Sequence, residues 1–154
     1  MRTRHRVAAL AALAAGLAWF VRPAWAGCTV DAGGGVAFGA YSPFDTAPLD
    51  STGTITLNCT SPYSSTVLVE LSAGLATGFA PRELQSGTHR MTYNLFLDAG
   101  RTSVWGDGTS GTSYSTQSPA DGVDLNLTVF GRIPARQNAW VGAYADSVVV
   151  TVEF

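Results

Sequence analysis

Cys28, Cys59, His89 and eleven carboxylates are the side chains of this 154-residue sequence best equipped for covalent, acid–base or metal chemistry. A thiolate can attack, pair or take a lipid, an imidazole can act as general base, and paired carboxylates can cleave a glycosidic bond. A Ser-His-Asp site would have to use His89, which precedes a strand-like run beside Arg90. A single histidine there reads as a solvated surface residue, and no G-x-S-x-G elbow accompanies it. Zinc-ligand spacing is absent. Asp107 and Asp121 flank a polar stretch, without the Asp-x-Asp-x-Asp-Gly spacing of a calcium loop. Nothing points to a carboxylate pair for glycoside hydrolysis. Asn58-Cys59-Thr60 and Asn126-Leu127-Thr128 match the glycosylation sequon, but both fall in strand-like runs. The sequence therefore names no catalytic, cofactor-binding or metal residue and reads as a non-enzyme. A secreted hydrolase remains a remote alternative.

The chemistry open to Cys28 depends on what is cut in front of it. Arg2, Arg4 and Arg6 form a positive n-region, and Val7 to Val21 is an apolar stretch that Arg22-Pro23 breaks. This is an export signal, too short for a membrane span and with no stop-transfer pattern behind it. PAWAGC (23–28) offers two cuts. Ala24-Trp25-Ala26 suits the ordinary signal peptidase. Trp25-Ala26-Gly27-Cys28 resembles a lipoprotein box, with Trp25 where leucine is usual. A lipidated Cys28 would leave Cys59 without a partner, whereas an even pair in an exported chain reads as a disulfide. The expectation is a cleaved signal over 1–26, one domain over 27–154 and a Cys28–Cys59 bond.

Beyond residue 26 there are five arginines, no lysine and eleven acidic side chains, a formal charge of −6. That balance lacks the basic footprint of a nucleic-acid binder.

The elements that must position these residues are strands. GTITLNC (53–59), STVLVEL (65–71), MTYNLFLD (91–98), DLNLTVFG (124–131) and SVVVTVEF (147–154) alternate apolar and polar residues, and Gly, Pro, Ser and Asp cluster between them. CTV (28–30) and VAFG (36–39) read as shorter edge strands. About seven strands, each with one apolar face, predict an all-β fold: an immunoglobulin-like antiparallel β-sandwich. GDGTSGTSYSTQSPADG (106–122) reads as a mobile surface loop or, more sharply, a ligand-contacting one. Gly39, Gly131 and Gly142 read as turn or strand-end residues. Trp105 and Tyr144 read as packing residues.

Taken in order, CTV (28–30), VAFGAYSP (36–43), GTITLNCT (53–60), LSAG (71–74), YNLFLD (93–98), VWGDG (104–108), LTVFGRIPA (127–135) and VGAYADSVVVTVEF (141–154) resemble the spore coat protein U family, which includes subunits of archaic chaperone–usher pili. The resemblance implies a sandwich that is incomplete, with one strand supplied in trans. A periplasmic chaperone lends that strand. At the outer-membrane usher, the N-terminal extension of the next subunit replaces it. The family disulfide matches Cys28 and Cys59. The groove for the donor strand or chaperone is expected along Leu125, Leu127, Val129, Val148, Val150, Val152 and Phe154. Phe154 reads as the end of a domain strand rather than an outer-membrane barrel signal.

The implied function is a secreted structural or adhesive pilus subunit, exported through the periplasm to the cell surface. Its partners would be the chaperone, the usher and other pilus subunits, with no cofactor and no nucleic acid. Here the sequence departs from the family. After a cut before Gly27 one residue precedes Cys28, so the chain is expected to accept a strand without giving one. That suits a minor or tip position, although tip adhesins of archaic pili usually have two domains. The alternative is a self-contained secreted coat or matrix protein.

Overall fold

From Leu49 to Thr60 the side chains alternate between a buried set (Ile55, Leu57, Cys59) and a more exposed set led by Thr52 and Thr54. A run with period two can bury one face only as a strand. The same logic holds for Met91, Tyr93 and Leu95, and for Leu127 and Val129. The computed structural model describes residues 27–60 and 66–153. The expected signal over 1–26 and the terminal Phe154 lie outside the described residues.

Among the described residues eight strands run in the order β1 (Gly27–Asp31), β2 (Leu49–Thr60), β3 (Val67–Leu71), β4 (Arg82–Ser86), β5 (His89–Phe96), β6 (Ser115–Gln117), β7 (Asp124–Ile133) and β8 (Val150–Glu153). One sheet has the order β1-β2-β7-β5-β4 and the other β6-β3-β8. Every pairing between these strands is antiparallel. The architecture is the expected all-β, immunoglobulin-like sandwich, and its inner faces meet in one core. Leu57, Val67 and Val69 are fully buried there, each contributing about 1.5–3 kcal/mol by burial. The Trp105 indole also lies in the core and donates its N–H to Val69 O at 2.9 Å.

Four expectations are corrected. VAFG (36–39) is not a strand. Val36 and Phe38 instead turn onto the inner face of the first sheet, over Gly53 and Gly131. Gly131 accordingly lies within β7 and not at a turn. The stretch 106–122 is not a free polar loop. It buries Thr112 and Ser115 and supplies β6. β8 begins at Val150 rather than at 147, because Ser72 Oγ accepts the Val149 N–H at 2.9 Å and Ser72 N donates to Val149 O at 2.9 Å.

β1 leaves its sheet at a glycine run. Gly33 and Gly35 have φ of 54° and 71°, a region glycine enters without strain. Gly33 N donates to Asp31 Oδ1 at 2.8 Å, and Gly35 N to Ala32 O at 3.0 Å. This sharp turn takes the chain off the edge of the sheet and lays Val36 and Phe38 over the inner face of β2 and β7.

Candidate functional site

Between the two sheets the sandwich opens into a cavity of about 1060 Å³. Its floor is apolar and comes from both sheets: Ile55, Met91, Tyr93 and Val129 from one, Leu71 from the other. Two lips border it, 32–44 and 139–150. Both are poor in backbone pairing. Among the described residues, the backbone of 36–41 makes no backbone–backbone hydrogen bond; Ala37 O accepts only from Ser51 Oγ, at 2.6 Å. On the second lip, Ala145 exchanges a pair of bonds with Gln85 and Val149 bonds Ser72. Ala139 N donates to Gln137 O at 2.9 Å, Trp140 N to the Tyr144 hydroxyl at 3.2 Å and Ser147 N to Asp146 Oδ1 at 2.7 Å. β8, which continues this lip, is an edge strand of its sheet. Unpaired backbone beside an apolar floor is the arrangement that invites a further strand.

Of the residues lining the cavity, Phe44, Trp140 and Val141 stand in solvent, at 89%, 65% and 106% relative exposure. The Tyr41 hydroxyl ties the first lip to the segment that follows β7. It donates to Pro134 O at 3.0 Å and accepts from Gln137 N at 2.7 Å.

A buried polar network lies beneath the second lip. Arg82 has no exposed surface. Its guanidinium donates to Ser72 O at 3.0 Å, Asn94 Oδ1 at 2.7 Å and Trp105 O at 2.6 Å, and it lies 5.2 Å from the Phe79 ring centre. Burial pushes the Arg82 pKa below the usual arginine value, partly offset by the field of Tyr93 and Asp146. The Tyr93 hydroxyl donates to Asp146 Oδ2 at 2.6 Å. Burial, then that bond, pushes its pKa well above the usual tyrosine range. Asp146 Oδ1 accepts from Leu75 N at 2.8 Å and Ser147 N at 2.7 Å.

The residues expected to line a groove divide. Val129, Val148 and Val150 line the cavity, whereas Leu125, Leu127 and Val152 pack in or against the core away from its lining. Phe154 lies outside the described residues. Sequence reasoning missed Met91 and Tyr93 on the floor and Val36 and Phe38 on the first lip. Alternation marks Met91 and Tyr93 as inward, but it does not say which inward side chains border a cavity.

Cys28 and Cys59 sit directly opposite each other in the β1–β2 ladder and are joined, 2.08 Å between sulfurs. The Cys28 sulfur is thus engaged in a disulfide rather than a lipid linkage.

The groups weighed for catalysis have other occupations. The His89 ring stacks on Trp140, centres 4.9 Å apart and 18° from parallel. No cluster of three or more metal-ligating side chains occurs among the described residues. The Arg132 guanidinium holds the Asp50 carboxyl below its ordinary range, the Ser103 N–H does so for Asp98, and the Thr109 hydroxyl for Asp107. These shifts favour the ionised form, the reverse of what a general acid needs.

Comparison with solved structures matches the sandwich to pilus proteins. A chain of the chaperone–tip adhesion subunit pre-assembly complex CsuC–CsuE, from archaic chaperone–usher Csu pili of Acinetobacter baumannii, superposes with a TM-score of 0.60 at 22% identity. The match covers 84% of this chain and 40% of that one, so the present chain spans less than half of its length. The P pilus rod subunit PapA superposes with a TM-score of 0.53 at 17% identity, covering 82% of this chain and 97% of that one. At these identities the likeness concerns the fold. Protein U of Myxococcus xanthus is 31% identical over 143 residues, covering 82% of this chain and 77% of the relative. The family model for the Spore Coat Protein U domain matches residues 20–151, and the chain belongs to that family.

Proposed function

We propose that this chain is an exported subunit of a chaperone–usher pilus of the archaic kind, and that the cavity between its sheets accepts a β-strand from a partner. The observation that carries the reading is the pair of lips, sparse in backbone pairing, over an apolar floor. An extended peptide laid between them would gain backbone hydrogen bonds on its edges, and its alternate side chains would enter the cavity. The donor is first a periplasmic chaperone and then, at the outer-membrane usher, another subunit. Left open, the same surface is an aggregation hazard. Likeness in fold to a chain of a chaperone–tip subunit complex and to a rod subunit supports the assignment.

Within such a fibre we place the chain as a minor, end-located and adhesive subunit. If export cuts before Gly27, one residue spanning roughly 3.5 Å precedes the disulfide, far too short to complete a neighbour. Sequencing the N-terminus of the exported protein tests this, and a terminus well upstream of Gly27 would sink it.

The Spore Coat Protein U family match favours a second reading, a self-contained coat protein. One experiment separates the two. The exported chain is prepared alone and with a synthetic twelve-residue peptide of alternating valine and serine. Acceptance predicts aggregation alone and a soluble one-to-one complex with the peptide. A stable monomer that ignores the peptide would overturn it.

A further inference from the structure

We propose that Tyr93 is the positioning residue of the groove: it ties both lips to the floor and so holds the cavity open at the width of one absent strand. The proposal rests on the reading of the cavity as a strand acceptor.

Tyr93 lies mid-floor on β5 and is 4% exposed. It touches both lips. Toward the first, its ring meets Phe38 edge to face, centres 6.0 Å apart and 78° between planes. Toward the second, its hydroxyl donates to Asp146 at 2.6 Å. Asp146 cannot drift freely, because its other oxygen accepts from Leu75 and Ser147. Its carboxylate also fills the space beside Gly74 that any side chain there would need. The first lip is held just as specifically, with Phe38 and Val36 seated over the bare backbones of Gly53 and Gly131. A rigid chain of contacts therefore runs Phe38–Tyr93–Asp146 across the floor.

Such a tie is needed on physical grounds. Two lips with little backbone pairing over apolar surface gain by closing on each other. To admit a strand they must stay two strand spacings apart, roughly 9.5 Å. Tyrosine suits the task, with a stiff aromatic body for one lip and a polar tip for the other. The bond to a carboxylate is of the strong, charge-assisted kind. An acceptor already held in its bound shape loses less on binding.

The test uses the exported full chain, prepared as its complex with the valine–serine peptide and challenged with fluorescein-labelled peptide. Wild type is compared with Tyr93→Phe, Asp146→Asn and Leu57→Ala. Phenylalanine keeps the ring on Phe38 and removes only the tie to Asp146. Leu57 is a fully buried core residue outside the cavity lining, so its truncation costs stability without touching a lip. Tyr93→Phe is expected to weaken peptide binding about tenfold, the order set by one hydrogen bond to a charged group. It should also speed amide exchange at Ala145 and Ser147. Asp146→Asn, which loses the charge and keeps one acceptor oxygen where Asp146 uses two, should weaken peptide binding as well. Leu57→Ala should melt earlier yet bind within about twofold of wild type, inside the scatter of contact-free sites. Wild-type binding and exchange in Tyr93→Phe would overturn the proposal, as would an equal loss in Leu57→Ala. A wild-type chain that forms no peptide complex would instead overturn the acceptor reading beneath it.

Discussion

Phe38 stands where the side chain of residue 131 would be: a Cβ built on Gly131 falls 2.7 Å from the tip of the Phe38 ring and 2.8 Å from Val36 Cγ1. Glycine at 131 is thus what lets the first lip lie flat on β7. Gly131→Ala must lift Phe38, which itself leans on Tyr93. The expected cost is about 1–3 kcal/mol. Phe38→Ala in the same chain should recover part of it, because contacting sites are non-additive. Denaturant midpoints of the two single variants and the double variant measure this; strict additivity would contradict it.

The disulfide closes a loop with a sequence separation of 31. Replacing both cysteines by serine should lower stability by about 2–4 kcal/mol. The linked peptide should appear in a non-reducing digest. Free thiols, or a lipid on Cys28, would contradict the pairing.

Arg82 is the most demanding group in the core. Arg82→Met would leave Ser72 O, Trp105 O and Asn94 short of a donor and should cost about 3 kcal/mol or more. Arg82→Lys keeps the charge but cannot reach all three acceptors from one ammonium. It should cost about 2 kcal/mol, the order of one or two buried bonds lost. Urea unfolding decides, and a lysine variant as stable as wild type would show that the fork geometry is dispensable.

Acid should weaken the fold through Asp50, Asp98 and Asp107, whose carboxyls are all held below their ordinary range when folded. The unfolded chain protonates first as pH falls, so their contribution is complete above the ordinary carboxylate pKa of about 4 and drains away below it. Stability should be flat from neutral pH to about pH 5 and decline toward pH 3. In Asp50→Asn, where Arg132 and Arg101 lose their shared partner, the decline should be shallower. Urea midpoints across that range would refute the account if the slope ran the other way.

Much of the fold was legible because a strand's side chains alternate with period two, whatever the strand later pairs with. Alternation alone put Ile55 with Leu57, Met91 with Tyr93 and Val67 with Val69 on inner faces. The even cysteine count after an export signal was enough to expect the Cys28–Cys59 bond. The strands it missed were the ones that break the pattern. β4 hides a charged Arg82 that becomes tolerable only once Asn94 and two carbonyls converge on it from elsewhere in the chain. β6 lies in a Ser/Thr-rich run whose burial depends on pairing with β3. VAFG reads as a strand, yet Val36 and Phe38 go to the two glycines on β2 and β7, a complementarity between residues distant in sequence. The candidate site follows the same rule. Sequence marks which side chains point inward. Which of them then line the cavity depends on sheet order and on where the 139–150 lip is tied, so Val129 borders the cavity while Leu127, two residues away on the same face, packs in the core away from it.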